Sequence, residues 1–157
     1  MAAQMNYDYG TPKGVPGGKF DLAYDEVVSR INEAEDGVLK FGIAVAVGSD
    51  PGFNVTVPNT DTTAEKIDGI VLCHPNTEQD TKGNVVIRKN ATVGIMRKGH
   101  IWGRLDEGVT PSYGEKAYVS VAEKNAGTFT NVPDGALDIG ASFGNESDDG
   151  IAVIVLK

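Results

Sequence analysis

The chain has 157 residues, a length typical of one domain, and 40% of them are hydrophobic, which is enough to build a packed core. Its 14 Lys and Arg residues are outnumbered by 22 Asp and Glu residues, so the formal net charge is −8. Because a surface that binds phosphate backbones needs clustered positive charge, this balance argues against nucleic-acid binding. The 20 glycines exceed the average usage of about 7% and indicate many tight turns.

The N-terminal residues 1–20 differ in composition from the rest and predict an extended arm. Four glycines and two prolines interrupt this segment, and no apolar periodicity accompanies them. Such a segment does not bury enough surface to fold alone, but its aromatic residues suit it to docking on another surface. The arm also lacks the apolar core of a signal peptide, so we expect synthesis in the cytoplasm and no membrane association.

Residues 21–157 are expected to form a single β-rich domain. At its start, apolar residues from Phe20 to Ala34 fall near one helical face and predict a short helix at about 21–35. The β-branched residues Val27, Val28 and Ile31 also allow an extended segment there.

Short apolar or alternating runs follow at spacings of about ten residues, which is typical of an antiparallel jelly roll, sandwich or barrel. The dipeptide Lys98-Gly99 is expected to form a hairpin turn between two of them. Cys73 closes one apolar run and is expected to be a buried, unreactive thiol. The expected strands are Val38–Val47, Phe53–Val57, Ile67–Cys73, Val85–Arg88, Thr92–Arg97, His100–Leu105, Ala117–Ala122, Thr128–Val132, Leu137–Phe143 and Ile151–Leu156.

The sequence contains no pattern that predicts catalysis, a cofactor or a metal. The two histidines, His74 and His100, do not belong to a metal-ligand spacing. The acidic run at 145–150 resembles the opening of a calcium loop, but the position of its final carboxylate is Leu156, so a solvated loop is favoured. The adjacent carboxylates Asp106 and Glu107 are expected to point apart.

Trp102 is the only tryptophan, and it shares a strand face with His100. A single tryptophan on a sheet is usually a core or subunit-interface anchor. Stacking on a sugar ring is the alternative function.

The chain resembles the structural cement (capsid decoration) proteins of tailed bacteriophages. The resemblance covers most of residues 25–157 and depends on the order of three groups of segments. These are Val28-Ser29-Arg30 with Phe41-Gly42-Ile43-Ala44-Val45; Lys98-Gly99-His100-Ile101-Trp102 with Gly114-Glu115-Lys116-Ala117-Tyr118-Val119; and Gly127-Thr128-Phe129-Thr130 with Ile139-Gly140-Ala141-Ser142-Phe143 and the terminal Gly150-Ile151-Ala152-Val153-Ile154-Val155-Leu156.

This resemblance implies a jelly-roll-like domain that binds the outer surface of a phage head, stabilises contacts between major capsid subunits and has no enzymatic activity. It also implies a dimer or trimer as the working form. The residues expected at capsid or subunit interfaces are Tyr7, Tyr9, Pro12, Pro16, Phe53 and Trp102. A carbohydrate-recognition module, with Trp102, Tyr113 and Tyr118 exposed, is the first alternative. A small β-barrel hydrolase is the second.

Overall fold

The computed structural model describes residues 14–74, 78–145 and 147–157. The regular secondary structure of this part of the chain is β-strand apart from two short 3₁₀ turns at Ala64–Lys66 and Glu123–Asn125. The strands are β1 (Glu26–Asn32), β2 (Ala44–Val47), β3 (Asn54–Thr56), β4 (Ile67–Val71), β5 (Glu78–Gln79), β6 (Val85–Val86), β7 (Thr92–Arg104), β8 (Lys116–Ser120), β9 (Phe129–Thr130), β10 (Ala136–Phe143) and β11 (Ile151–Leu156).

The helix expected at about 21–35 is wrong, because this segment contains β1. Exposed and partly buried residues alternate along β1, and the strand pairs antiparallel with β7 and parallel with β3. The β-branched residues Val27, Val28 and Ile31 fit this pleated surface. Pairing with two neighbouring strands therefore overrides the weak helical periodicity.

The hairpin turn expected at Lys98-Gly99 is also wrong, because β7 runs without interruption through both residues. The strands that pair with β7 change at this point. The first half of β7 pairs with β1 and β4, and the second half pairs with β11. One long strand therefore joins two parts of the sheet.

Each half of β7 takes part in a closed arrangement of strands. The order β1-β3-β2-β4-β7, with β1 also paired to β7, forms a ring of five strands. From β7 the sheet continues through β11, β10, β8 and β9, and a bridge between Leu105 and Phe129 returns to the end of β7. The expectation of an all-β, barrel-like domain is confirmed.

The buried core contains one cluster for each of these two parts of the sheet. One cluster fills the five-stranded ring and includes Leu39, Val45, Val55 and Ile95. A second lies among β7, β8, β10 and β11 and includes Phe129 and several residues from those strands. Residues 38–43, expected as strand, are instead mostly a loop whose apolar side chains fill the first cluster.

Candidate functional site

Residues 14–21, here called the strap, lie along the free edge of the second half of β7. The Gly17 amide donates to the Trp102 carbonyl (2.7 Å), the Trp102 amide donates to the Gly18 carbonyl (2.9 Å), and the Phe20 amide donates to the His100 carbonyl (3.0 Å). An open strand edge invites pairing with other chains. The strap satisfies this edge from within the same chain.

The indole ring of Trp102 anchors the strap. Gly14 lies so close to the ring that a Cβ there would overlap it, and the Phe20 ring meets Trp102 edge-on with centroids 5.7 Å apart. On the sheet side, Trp102 packs with Ile151 and Val153, and only 6% of the residue remains exposed. The indole ring is therefore closed to a sugar. Of the other two aromatic residues named for the carbohydrate alternative, Tyr118 is partly buried and Tyr113 is 82% exposed.

A salt bridge and a hydrogen bond between histidine and carboxylate hold the end of the strap and the turn after it. The Asp21 carboxylate lies 2.6 Å from His100 Nδ1, and the Lys19 ammonium pairs with Asp25. The hydrogen bond with His100 holds the pKa of Asp21 below its ordinary value. The turn between Phe20 and Asp25 is thus tied to the fold at both ends.

This turn presents apolar side chains to solvent. Leu22 is fully exposed and Tyr24 is 82% exposed. Beside the turn, Phe20 and the exposed Tyr113 border a groove of about 350 Å³ over Val153. We call Phe20, Leu22, Tyr24 and Tyr113 the apolar rim. The sequence does not indicate this surface, because its apolar residues between 20 and 34 also fit one face of a helix.

Three of the residues expected at interfaces, Pro16, Phe53 and Trp102, lie within the described part of the chain. Pro16 belongs to the strap, and Trp102 is buried on β7 beneath the strap. Phe53 is 64% exposed in the turn between β2 and β3, and its carbonyl accepts from the Ile31 amide (2.8 Å). Tyr7, Tyr9 and Pro12 lie outside the described residues.

No cluster of three or more His, Cys, Asp or Glu side chains suited to a metal occurs among the described residues. In the acidic loop, Asn145 turns inward, and its Oδ1 accepts from the Val153 amide at 2.7 Å. In the same part of the chain that the structure covers, no helix has the length and apolar character needed to cross a membrane.

The expectation of a buried Cys73 is wrong. β4 ends at Val71, so Cys73 lies beyond the strand and its side chain is exposed. Its backbone amide donates to the Gly17 carbonyl (2.8 Å). The contribution of this position to the fold is therefore a backbone contact with the strap.

Comparisons with known proteins place the chain among viral structural proteins. A family profile described as "Structural cement protein (E217 gp24/Pam3 gp6)" matches residues 3–157. The fold is similar to that of a chain in the capsid of Myoviridae phage XM1, with a TM-score of 0.74 and 15% sequence identity. That alignment covers 100% of this chain and 98% of the other. No curated protein matches the sequence.

Proposed function

The chain belongs to the phage structural cement protein family, and from this premise we propose that it binds the outer surface of a phage head and stabilises contacts between major capsid subunits. The observation that carries the proposal is the apolar rim. Leu22 and Tyr24 project from a turn whose two ends are held by the contacts of Asp21 with His100 and of Asp25 with Lys19, so the chain holds these apolar side chains in solvent at a defined place. Several large apolar residues exposed within one short segment are typical of a protein–protein contact.

A decoration protein of this kind acts by mass action. A protein that binds the assembled shell and not the separated subunits adds RT ln(1 + [L]/Kd) of stability at each site, and a head repeats the site many times. Such a task needs a stable scaffold with exposed contact residues and no reaction centre. The net charge of −8 suits an outer surface better than one that faces packaged DNA.

Self-association into a dimer or trimer is part of the proposal. The outward face of β1 carries Val27 and Ile31, both partly exposed, on either side of Ser29. A second copy that covered this face would bury apolar surface now in contact with water. Sedimentation equilibrium of the free protein, and of a Val27→Asp variant, measures whether the oligomer exists and whether β1 forms it.

The decisive experiment mixes the purified protein with heads that lack it. We expect stoichiometric binding and a higher melting temperature of the shell, and an absence of binding would refute the proposed function. In the variant Leu22→Asp we expect at least tenfold weaker binding, because a charge replaces a side chain that is buried on docking. Val132→Asp is the control, since Val132 is also an exposed aliphatic residue but lies outside the turn that carries Leu22. Equal binding by the two variants would remove Leu22 from the contact surface.

Truncation tests the proposed contacts of Tyr7, Tyr9 and Pro12. Deletion of residues 1–13 leaves the strap in place, so any loss of binding comes from the deleted residues and not from an opened edge of β7. We expect fewer copies bound per head at equal protein concentration. Unchanged occupancy would exclude these residues from the contact.

A further inference from the structure

A second feature, separate from the apolar rim, lies at the C-terminal end of β7. A cavity of about 600 Å³ opens between the loop that precedes β2 and the β5–β6 hairpin. Buried apolar residues contribute to its lining, namely Leu39, Phe41 and Ile87. The cations Lys40 and Arg104 also line it. We call this space the Arg104 cavity.

Arg104 differs from the other three arginines of the chain. Arg30, Arg88 and Arg97 each have a carboxylate within 4 Å. Arg104 is half-buried and its Nε donates to the Phe41 carbonyl (2.8 Å), but no carboxylate of the described residues lies within ion-pair distance of its guanidinium. Burial lowers the pKa of Arg104, which reflects the cost of removing this cation from water.

The two aspartates that line the cavity are already engaged elsewhere. Asp36 accepts from the Arg88 side chain and from the Lys89 amide (2.8 Å). Asp80 accepts from the backbone amides of Lys82 and Asn84 at 2.8 and 2.9 Å. Lys40 and Arg104 therefore line this cavity without a carboxylate partner among the described residues. Acidic residues outnumber basic ones in the chain by 22 to 14, so this arrangement is unusual for it.

We propose that the Arg104 cavity binds the carboxylate of an Asp or Glu side chain from the capsid subunit, with a neighbouring aliphatic side chain of that segment packed on Leu39 and Ile87. This proposal rests on the proposed function for the identity of the partner. The chemistry follows from the cavity itself. A guanidinium binds a carboxylate through two parallel hydrogen bonds, and an apolar floor takes an aliphatic side chain.

The first test measures binding to heads that lack the protein. Arg104→Gln is expected to bind at least tenfold more weakly, because a charge-assisted pair is lost. Lys66→Gln removes the same charge from an exposed side chain and is expected to change binding less than twofold. Arg104→Lys keeps the positive charge but lacks the planar guanidinium, so its binding is expected to be weaker than that of Lys66→Gln and stronger than that of Arg104→Gln. Equal binding by Arg104→Gln and Lys66→Gln would overturn the inference and leave the proposed function standing.

The second test does not depend on heads. The probe is the blocked tripeptide acetyl-Leu-Glu-Leu-amide, titrated into the full-length protein and followed by NMR at the Arg104 Nε–H and the Ile87 methyl groups. We expect saturable shifts with this peptide and none with the Gln analogue. Absent shifts would overturn the inference, as would equal shifts with inorganic phosphate. A change in oligomeric state on Arg104→Gln substitution would assign the cavity to a second copy of this chain, which also overturns it.

The folded state of each variant is checked by its melting temperature. Arg104→Gln removes one internal hydrogen bond, so its Tm is expected to fall by no more than about 4 °C. A larger fall would show that Arg104 serves mainly to hold the fold, which contradicts a binding role.

Discussion

Gly17 and Gly42 cross with their backbones in contact. A Cβ on Gly42 would lie 2.8 Å from the Gly17 nitrogen, and a Cβ on Gly17 would lie 2.7 Å from the Val71 carbonyl oxygen. Both residues have φ of +79°, a conformation that L-residues rarely adopt. At this crossing the strap meets the loop before β2 and the end of β4, so it is a point where the strap is fixed to both parts of the sheet.

Gly17→Ala is expected to displace the strap. The substitution combines an unfavourable φ with a backbone clash, and the clash would break hydrogen bonds of the strap. We therefore expect a loss of more than about 3 kcal/mol in unfolding free energy. Gly52→Ala is the matched control, since Gly52 has φ of +88° but open space around its Cβ position. It isolates the conformational cost, which we expect to be about 1–2 kcal/mol. Urea denaturation measures both, and equal losses would contradict the clash at Gly17.

Asp68 joins three strands and is expected to be the most important carboxylate for stability. Its side chain, on β4, is 6% exposed and accepts from Arg30 Nε on β1 (2.8 Å) and from Arg97 on β7. In Asp68→Asn two cations lose their counter-charge, one of them nearly buried, so we expect a loss of about 3 kcal/mol in unfolding free energy.

The exposed pair of Lys116 and Asp138 provides the control for Asp68. Its nitrogen–oxygen distance, 2.9 Å, is similar, but both side chains remain largely in water. Asp138→Asn is therefore expected to leave the urea midpoint unchanged. If Asp68→Asn also leaves the midpoint unchanged, the closure of the five-stranded ring does not depend on this ion pair.

The strands that the sequence predicts best are those whose pattern has only one explanation. β11 has the expected bounds, Ile151–Leu156, because a continuous apolar run of this length fits a strand buried on both faces. Around β1 and Gly99 the local pattern was ambiguous. There the outcome depends on pairing with strands distant in sequence, which local periodicity does not contain.

The candidate sites divide in the same way. Trp102 was expected to be a core or interface anchor and is a buried anchor, but that its cover is the strap depends on a tertiary contact with Gly14. Leu22 and Arg104 carried no signal in the sequence. The importance of each comes from its surroundings, which are solvent for Leu22 and a partly apolar cavity for Arg104.

The strap is expected to loosen in acid because of Asp21. The pKa of Asp21 is lowered by its hydrogen bond to His100, so its stabilising contribution is complete above the ordinary value of about 3.9 and is lost as the pH falls through the lowered pKa. Trp102, the only tryptophan, lies under the strap and reports its position. We expect constant Trp102 emission between pH 7 and pH 5 and a red shift below about pH 4.

Asp21→Asn identifies the carboxylate responsible. The variant retains the size of the side chain but loses its charge, so Trp102 emission is expected to be partly red-shifted already at pH 7 and to respond less to acid. The pKa values of Glu33, Asp36 and Asp80 are also lowered by hydrogen bonds. Protonation of these three groups in acid therefore lowers the stability of the whole fold. Far-UV circular dichroism, recorded in parallel, separates this global loss from strap opening. Identical emission of the variant and the natural protein at every pH would mean that the strap is held without the pair of Asp21 and His100.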